Sequence, residues 1–292
     1  MIEHGLRDSN VRWVLCLLFS GTGNTLFHIF LITGENDTMT NLNSVGSAAP
    51  SSEHTNRPAA VTRPEHIALN VPDPVASVQW YTENLTMTVV RKGTPPTYTS
   101  FIADPGHHIM LEVFHDVNYP MLDFSGTSHM SIHLAFMVDN IIGTKERLIA
   151  AGAKLVEDVT RTAAGDYVMM LRDPWGVPIQ CVDRAKPMLQ FTHLRPEHFA
   201  VNVPDSRATA QWLVQNLGMR VIREGGAPTY GLFLSDPQKN MLIEVYQNTG
   251  YPMLEVGKIS HMSIHLAFMV DEIAATKEQL RLAGATLLED IT

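Results

Sequence analysis

Short runs of alternating apolar and polar residues recur along the chain, separated by stretches with helical spacing. His66–Val71 has the alternation of a half-buried strand, and a helical stretch from Pro74 to Leu85 follows it. Three more strands are predicted after that helix, at 87–91, 97–103 and 108–115. The pattern therefore predicts a βαβββ unit.

The same order of elements occurs again further along the chain. His133–Val138 predicts a strand, Asp139 predicts a helix N-cap, and the helix extends to about Ala151. Strands are then predicted at 154–158, 167–172 and 177–183. Two βαβββ units together predict one α+β domain with an eight-stranded sheet and two helices.

The whole pattern is then repeated at a larger scale. Residues 63–160 align with 195–292 without a gap, and Ser128–Asp139 recurs unchanged at 260–271. We therefore expect a complete domain at 63–189 and a second copy at 195–292. This second copy stops before the counterpart of 161–184, so we expect it to be C-terminally truncated, with an open sheet edge.

Residues 1–62 differ from the repeats and are interpreted as a leader outside the domains. The segment 11–33 is apolar with a polar interruption, and its length suits a membrane span or a signal sequence. Another interpretation makes Met39 the true start and the residues before it translated upstream sequence. The stretch 40–62 is rich in Ser, Asn, Ala and Pro, which predicts flexibility.

Composition narrows the class of protein. The 292 residues are 45% hydrophobic and 17% charged, which is typical of globular domains rather than disordered chains. A net charge of -9 without a run of basic residues argues against a nucleic-acid partner. Two cysteines in unrelated contexts imply no disulfide framework, so we expect the cytoplasm, with membrane anchoring or export through 11–33 as the alternative.

Four segments carry a family resemblance: the strand opened by His66, Leu111-Glu112-Val113, His133-Leu-Ala-Phe, and the stretch from Asp173 to Gln180. Together they resemble the vicinal oxygen chelate superfamily, which includes glyoxalase I, bleomycin- and fosfomycin-resistance proteins and extradiol dioxygenases. The resemblance implies paired βαβββ modules whose curled sheet forms a cup around a divalent metal ion. It specifies the reaction weakly, since one fold hosts many functions.

The same resemblance implies a set of metal ligands on the first and last strands of the modules. In the first copy these are His66, Glu112, His133 and Gln180, and in the second His198, Glu244 and His265. Imidazole, carboxylate and amide donors admit Zn, Ni, Mn, Fe or Co. Gln180 departs from the family pattern, where a glutamate is usual, and its alternative interpretation is a metal-free cup. His129 and His261 have two interpretations: they are proton carriers at the rim of the cup, or they are surface residues.

The function that the resemblance implies is a metal-dependent lyase or isomerase of the glyoxalase type. Its substrate would be a small molecule with vicinal oxygens, and Glu112 would be both ligand and catalytic base. A metal-free binding protein of the bleomycin-resistance type is the alternative. A thiol transferase and an extradiol dioxygenase are further alternatives, and a homo-oligomer is compatible with any of them.

Overall fold

The computed structural model describes residues 12–19, 27–34, 61–189, 194–255 and 258–290. Within these ranges the chain forms strands that we number β1 to β16 and helices α1 to α4. The strands are β1 Arg12–Phe19, β2 Phe27–Gly34, β3 Val61–Asn70, β4 Thr88–Arg91, β5 Ser100–Ala103, β6 Met110–Phe114, β7 Ile132–Met137, β8 Lys154–Arg161, β9 Tyr167–Arg172, β10 Pro178–Asp183, β11 Arg195–Asn202, β12 Arg220–Glu224, β13 Leu232–Ser235, β14 Leu242–Tyr246, β15 Ile264–Val270 and β16 Thr286–Glu289. The helices are α1 Pro74–Asn84, α2 Ile141–Ala150, α3 Ser206–Leu217 and α4 Ile273–Leu282.

Helix starts follow the local capping signals of the sequence. Asp73 caps α1 and Asp205 caps α3, each accepting a hydrogen bond from a backbone N–H three residues later. The cap of α2 is Asn140, whose side chain accepts from the Gly143 N–H, rather than the expected Asp139. Asp and Asn both cap helices, so the sequence pattern could not distinguish Asp139 from its neighbour Asn140 as the cap.

The strands form two eight-stranded sheets. Sheet A has the order β16-β2-β1-β15-β3-β6-β5-β4, and sheet B has the order β12-β13-β14-β11-β7-β10-β9-β8. The α+β fold with paired βαβββ modules is thereby confirmed, and in sheet B both modules are complete. Neither sheet closes into a barrel, so each presents one face to the shared core and leaves the other for a site.

The sheets do not coincide with the two sequence repeats. In sheet B, β7 of the first repeat pairs antiparallel with β11 of the second, and in sheet A, β3 pairs antiparallel with β15. The expected domain at 63–189 would have joined β3 to β7 within one sheet. Because β7 and β15 have the same core sequence, Ile-His-Leu-Ala-Phe-Met, local pattern alone gives β3 no preference between them.

The N-terminal strands β1 and β2 form an antiparallel pair inside sheet A. β1 lies against β15, and β2 lies against β16, so the pair fills the gap that the second repeat leaves in its sheet. This differs from the expectation that 1–62 is a leader outside the domains, because 12–19 and 27–34 belong to the fold. Among the described residues, no helix has the length and apolar character needed to span a membrane.

One large hydrophobic core packs the helices and both sheets together. It includes Leu15 and Leu17 of β1, Phe136 of β7 and Phe268 of β15, all almost fully buried. Trp80 and Trp212 occupy matching places in α1 and α3, and their indole N–H groups donate to the carbonyl oxygens of Ala151 and Ala283. With one face of each sheet committed to this core, the polar residues of the central strands must point to the opposite face.

Candidate metal centres

Strand register places the candidate metal-binding residues of each sheet on one face. In sheet B, Ala200 lies opposite His133 on one side and opposite Glu244 on the other, while His198 lies opposite Ala135. Residues directly opposite on neighbouring strands, and those two apart on one strand, share a face. His133, His198 and Glu244 therefore project from the same face of the sheet.

The first cluster, which we call site A, consists of His66, Glu112 and His265. One donor atom from each residue lies within 4.8 Å of the others. The Nε2 atom of His66 is 3.1 Å from an oxygen of Glu112, and that of His265 is 3.9 Å from the same oxygen. Both imidazoles are buried, while the Glu112 carboxylate keeps a small exposed fraction.

The second cluster, site B, consists of His133, His198 and Glu244 and has the same geometry. Its three donor atoms also lie within 4.8 Å of one another. The Nε2 atom of His198 is 3.2 Å from an oxygen of Glu244. The rings of His133 and His198 have centroids 5.6 Å apart, the same separation as His66 and His265.

These clusters correct the grouping expected from the sequence. His66, Glu112, His133 and Gln180 were expected around a single metal, but His66 and Glu112 join His265, and His133 joins the second repeat. Gln180 lies opposite Ala135 on β10 and so shares the His133 face of sheet B. The second-copy residues His198 and Glu244 are therefore not an unfinished set; they share site B with His133.

Hydrogen bonds at Nδ1 fix how each histidine points. The Nδ1 atoms of His133 and His265 lie 3.2 Å from the carbonyl oxygens of His129 and His261. A carbonyl oxygen only accepts, so each Nδ1 carries the hydrogen and each Nε2 is left with a free lone pair. His129 and His261 thus act through their backbone, while their side chains pair with Glu157 and Glu289.

The other two histidines use a carboxylate for the same purpose. Nδ1 of His66 lies 3.1 Å from Glu65, and Nδ1 of His198 lies 2.9 Å from Glu197. Glu197 is itself held by Arg184, whose guanidinium donates to both of its oxygens at 2.8 and 2.6 Å. Such outer carboxylates orient metal-binding histidines and raise their basicity. Glu65 and Glu197 were not predicted as site residues, although Arg-Pro-Glu-His opens both repeats.

The Nε2 atoms provide a direct test of whether the residues fit a metal ion. In His66, His133, His198 and His265 this atom is buried and has no hydrogen-bond partner; for His66 and His198 the nearby carboxylate is within reach but not aligned. The Nε2 atoms of His66 and His198 lie within ion-pair distance of Glu112 and Glu244, at 3.1 and 3.2 Å. Buried polar atoms in folded proteins are nearly always hydrogen-bonded, so the Nε2 atoms of His133 and His265 need a cause. A divalent cation accepting the lone pairs supplies one, and the residues fit it.

The two histidines of site A have opposite pKa shifts. Burial lowers the pKa of His66, but the carboxylates of Glu112 and Glu65 outweigh burial and raise it to about 9. Burial, helped by the charge of His66, lowers the pKa of His265 to about 3. Burial would raise the pKa of Glu112, but His66 outweighs it and holds the pKa below its usual range. The site therefore pairs one histidinium with one carboxylate near neutral pH, beside a neutral imidazole.

Site B repeats this pattern. Burial and the neighbouring His198 lower the pKa of His133 to about 3, whereas Glu197 and Glu244 outweigh burial and raise that of His198. Arg184 holds the pKa of Glu197 at about 2 against the effect of burial. A metal ion that binds in either site would displace the proton of the histidine whose pKa is raised, His66 or His198.

An arginine stacked on an aromatic ring stands beside each site. The guanidinium of Arg91 lies 4.5 Å from the ring centre of Phe101, and Arg223 lies 4.8 Å from that of Phe233. The two rings contact His66 and His198 edge-on at 5.5 Å. Arg91 also helps to lower the pKa of Glu112. Each site thus has a positive group that could meet an anionic part of a ligand.

Comparisons with known proteins agree with this fold. The family profile described as the Glyoxalase/Bleomycin resistance protein/Dioxygenase superfamily matches residues 63–181 and 195–292. No curated protein matches the chain. Glyoxalase I from Zea mays superposes with a TM-score of 0.60 at 18% identity, over 76% of this chain and 79% of that one. A variant of the Zea mays enzyme gives 0.59 at 19% identity, over 76% and 80%. At such identities the structural likeness shows the fold alone.

Proposed function

Because the chain belongs to the glyoxalase, bleomycin resistance protein and dioxygenase superfamily, we propose that it is a metal-dependent lyase or isomerase of the glyoxalase type. Its substrate would be a small molecule with oxygens on adjacent carbons. The observation that carries the proposal is the convergence, in each site, of two buried Nε2 atoms without a hydrogen bond on one carboxylate, all within 4.8 Å of one another.

Each site offers two imidazoles and one carboxylate to the ion. Site A uses His66, His265 and Glu112, and the matching residues of site B add the amide of Gln180 on the same face. Nitrogen and oxygen donors of this kind suit Zn, Ni, Mn, Fe or Co. Three or four protein donors leave positions open for a substrate's two oxygens, as catalytic centres require.

A bound divalent ion would polarise the substrate carbonyl and stabilise negative charge on the adjacent oxygens. The protein supplies the base. Glu112 is ionised near neutral pH, and its side chain is 13% exposed, so a substrate C–H could approach it. It would take the proton from the hydroxyl-bearing carbon and return it to the neighbouring carbon. The hydroxyl proton would pass to the former carbonyl oxygen, so that the positions of carbonyl and hydroxyl are exchanged. Glu244 would do the same in site B.

Arg91 and Arg223 would bind the charged or polar remainder of the substrate. Each is held over an aromatic ring at the side of the site and is partly exposed. This fixed cation favours a substrate that carries a carboxylate or another anionic group away from the reacting carbons.

The test is solvent exchange at carbon. Metal-loaded protein in deuterated buffer should catalyse uptake of deuterium next to the carbonyl of small α-hydroxycarbonyl compounds, followed by NMR. The double variant Glu112→Gln/Glu244→Gln should lose about 10²-fold or more of this exchange, since a general base contributes on that order. Exchange that is equally fast after complete metal removal, or in the double variant, would refute the proposal.

A further inference from the structure

Sheet A contains a sulfur donor at the place where sheet B contains Gln180. Gln180 of β10 lies opposite Ala135, which follows His133 by two residues. Cys16 of β1 lies opposite Ala267, which follows His265 by two residues. Although β1 runs antiparallel to β15 and β10 runs parallel to β7, the two registers bring these side chains to equivalent places beside the sites.

The register also sets the direction of the Cys16 side chain. Cys16, Ala267 and His66 lie opposite one another on three neighbouring strands, so they share one face. That face carries site A. The neighbours of Cys16 on β1, Leu15 and Leu17, point instead into the large core.

Cys16 is shielded from solvent and lies on the strand next to that of His265. Cys16 is fully buried in a small cluster with Val14, Phe30 and Ala267. The ring of Phe30 lies opposite Cys16 on β2 and packs edge-on against His265, with 4.8 Å between centroids. Phe30 thus contacts a residue of site A on the face that Cys16 shares.

A second observation points to a ligand at this place. The Nε2 atom of His265 is buried and has no hydrogen-bond partner, and it belongs to site A. We propose that Cys16 is a fourth metal donor of site A, so that the chain holds two chemically different centres: one with a thiolate from the N-terminal strand pair and one with the Gln180 amide. This rests on the proposed metal sites.

Metal binding by Cys16 requires a change in the thiol. Coordination requires the thiol to lose its proton to solvent as the metal–sulfur bond forms. Cys16 stands outside the group of donors that lie within 4.8 Å of one another, so its side chain must also turn toward the two imidazoles. A thiolate would favour softer ions such as Zn at site A, whereas the amide and carboxylate of site B suit harder ones.

Cobalt titration of the full chain tests the proposal, because a thiolate bound to Co²⁺ gives a sulfur-to-metal charge-transfer band in the near ultraviolet. Wild-type protein freed of metal by a chelator should bind two equivalents of cobalt. Its charge-transfer band should have the intensity expected for one thiolate per chain. Cys16→Ala should abolish the band, and Cys181→Ala is the matched control that should keep it. Cys181 is equally buried but lies opposite Phe136 and packs in the large core.

Two histidine variants locate the sulfur without altering it. His265→Ala should remove the band together with one cobalt ion, and His133→Ala should remove one cobalt ion and keep the band. They decide the question even if Cys16→Ala does not fold. Two bound equivalents without a charge-transfer band would overturn the role of Cys16 and leave the proposed function standing. Failure of the wild type to bind cobalt would overturn both.

Discussion

The rings of His66 and His265 lie with their centroids 5.6 Å apart on neighbouring strands, although the two residues belong to different sequence repeats. His133 and His198 repeat this relationship in the other sheet. Neither repeat therefore contains a complete site. Each site needs the first module of one repeat and the second module of the other.

The N-terminal strand pair should contribute to stability as a part of the core. Leu17 of β1 is 1% exposed and packs in the large core, so Leu17→Ala should lower the free energy of unfolding by about 2–5 kcal/mol. Leu282→Ala, at a position 74% exposed, is the control and should change it by less than about 0.5 kcal/mol. Urea unfolding measures both. Equal, small effects would mean that β1 is not packed on the sheet.

In the metal-free protein, the pH dependence of the free energy of unfolding should reflect the histidines whose pKa values are shifted. The pKa of His265 is lowered to about 3, so between pH 6.5 and 3 the unfolded chain binds the proton more readily. Its contribution to stability is therefore present above pH 6.5 and is lost as the pH falls. The pKa of His66 is raised to about 9, so its contribution is present below pH 6.5 and is lost as the pH rises through 9.

Urea unfolding at pH 5, 6.5 and 9 in the presence of a chelator checks these signs. His265→Gln should lose less stability than the wild type between pH 6.5 and 5, and His66→Gln should lose less between pH 6.5 and 9. Variants whose pH profiles run parallel to that of the wild type would contradict the assigned shifts.

The outer carboxylates should affect metal affinity with little effect on the number of ions bound. Glu65→Gln weakens the partner of His66, and we expect about 10–100-fold weaker binding at site A. Glu197→Gln should do the same at site B. It should also destabilise the protein by about 1–3 kcal/mol, because the buried Arg184 loses a charged partner. Calorimetric metal titration and urea unfolding separate the two effects. Unchanged affinity in both variants would exclude an orienting role.

Most individual elements could be predicted from the sequence, because each depends on local pattern. The helix after Asp73 and the last strand with Gln180 lie where alternation and capping place them, while the strand that contains His66 begins earlier, at Val61. The ligand types also followed from the family resemblance. Pairing between elements could not be predicted, since β7 and β15 have the same core sequence and either could have joined β3.

The role of the N-terminal segment was hidden for a different reason. β1 and β2 are continuous apolar runs, and such runs are typical of fully buried strands and of membrane spans alike. The polar Ser-Gly-Thr-Gly-Asn-Thr stretch between the two runs was the available signal for a turn. For the same reason no site role was predicted for Cys16, although strand register places it on the face of site A.

The measurement that tests the account most directly is the metal content of two double variants. His66→Ala/His265→Ala removes two residues of site A, so the protein should keep one equivalent of metal at site B. His66→Ala/His133→Ala removes one residue from each site, so both equivalents should be lost. The reverse result, with metal retained only in His66→Ala/His133→Ala, would mean that each repeat holds its own ion and would contradict the account.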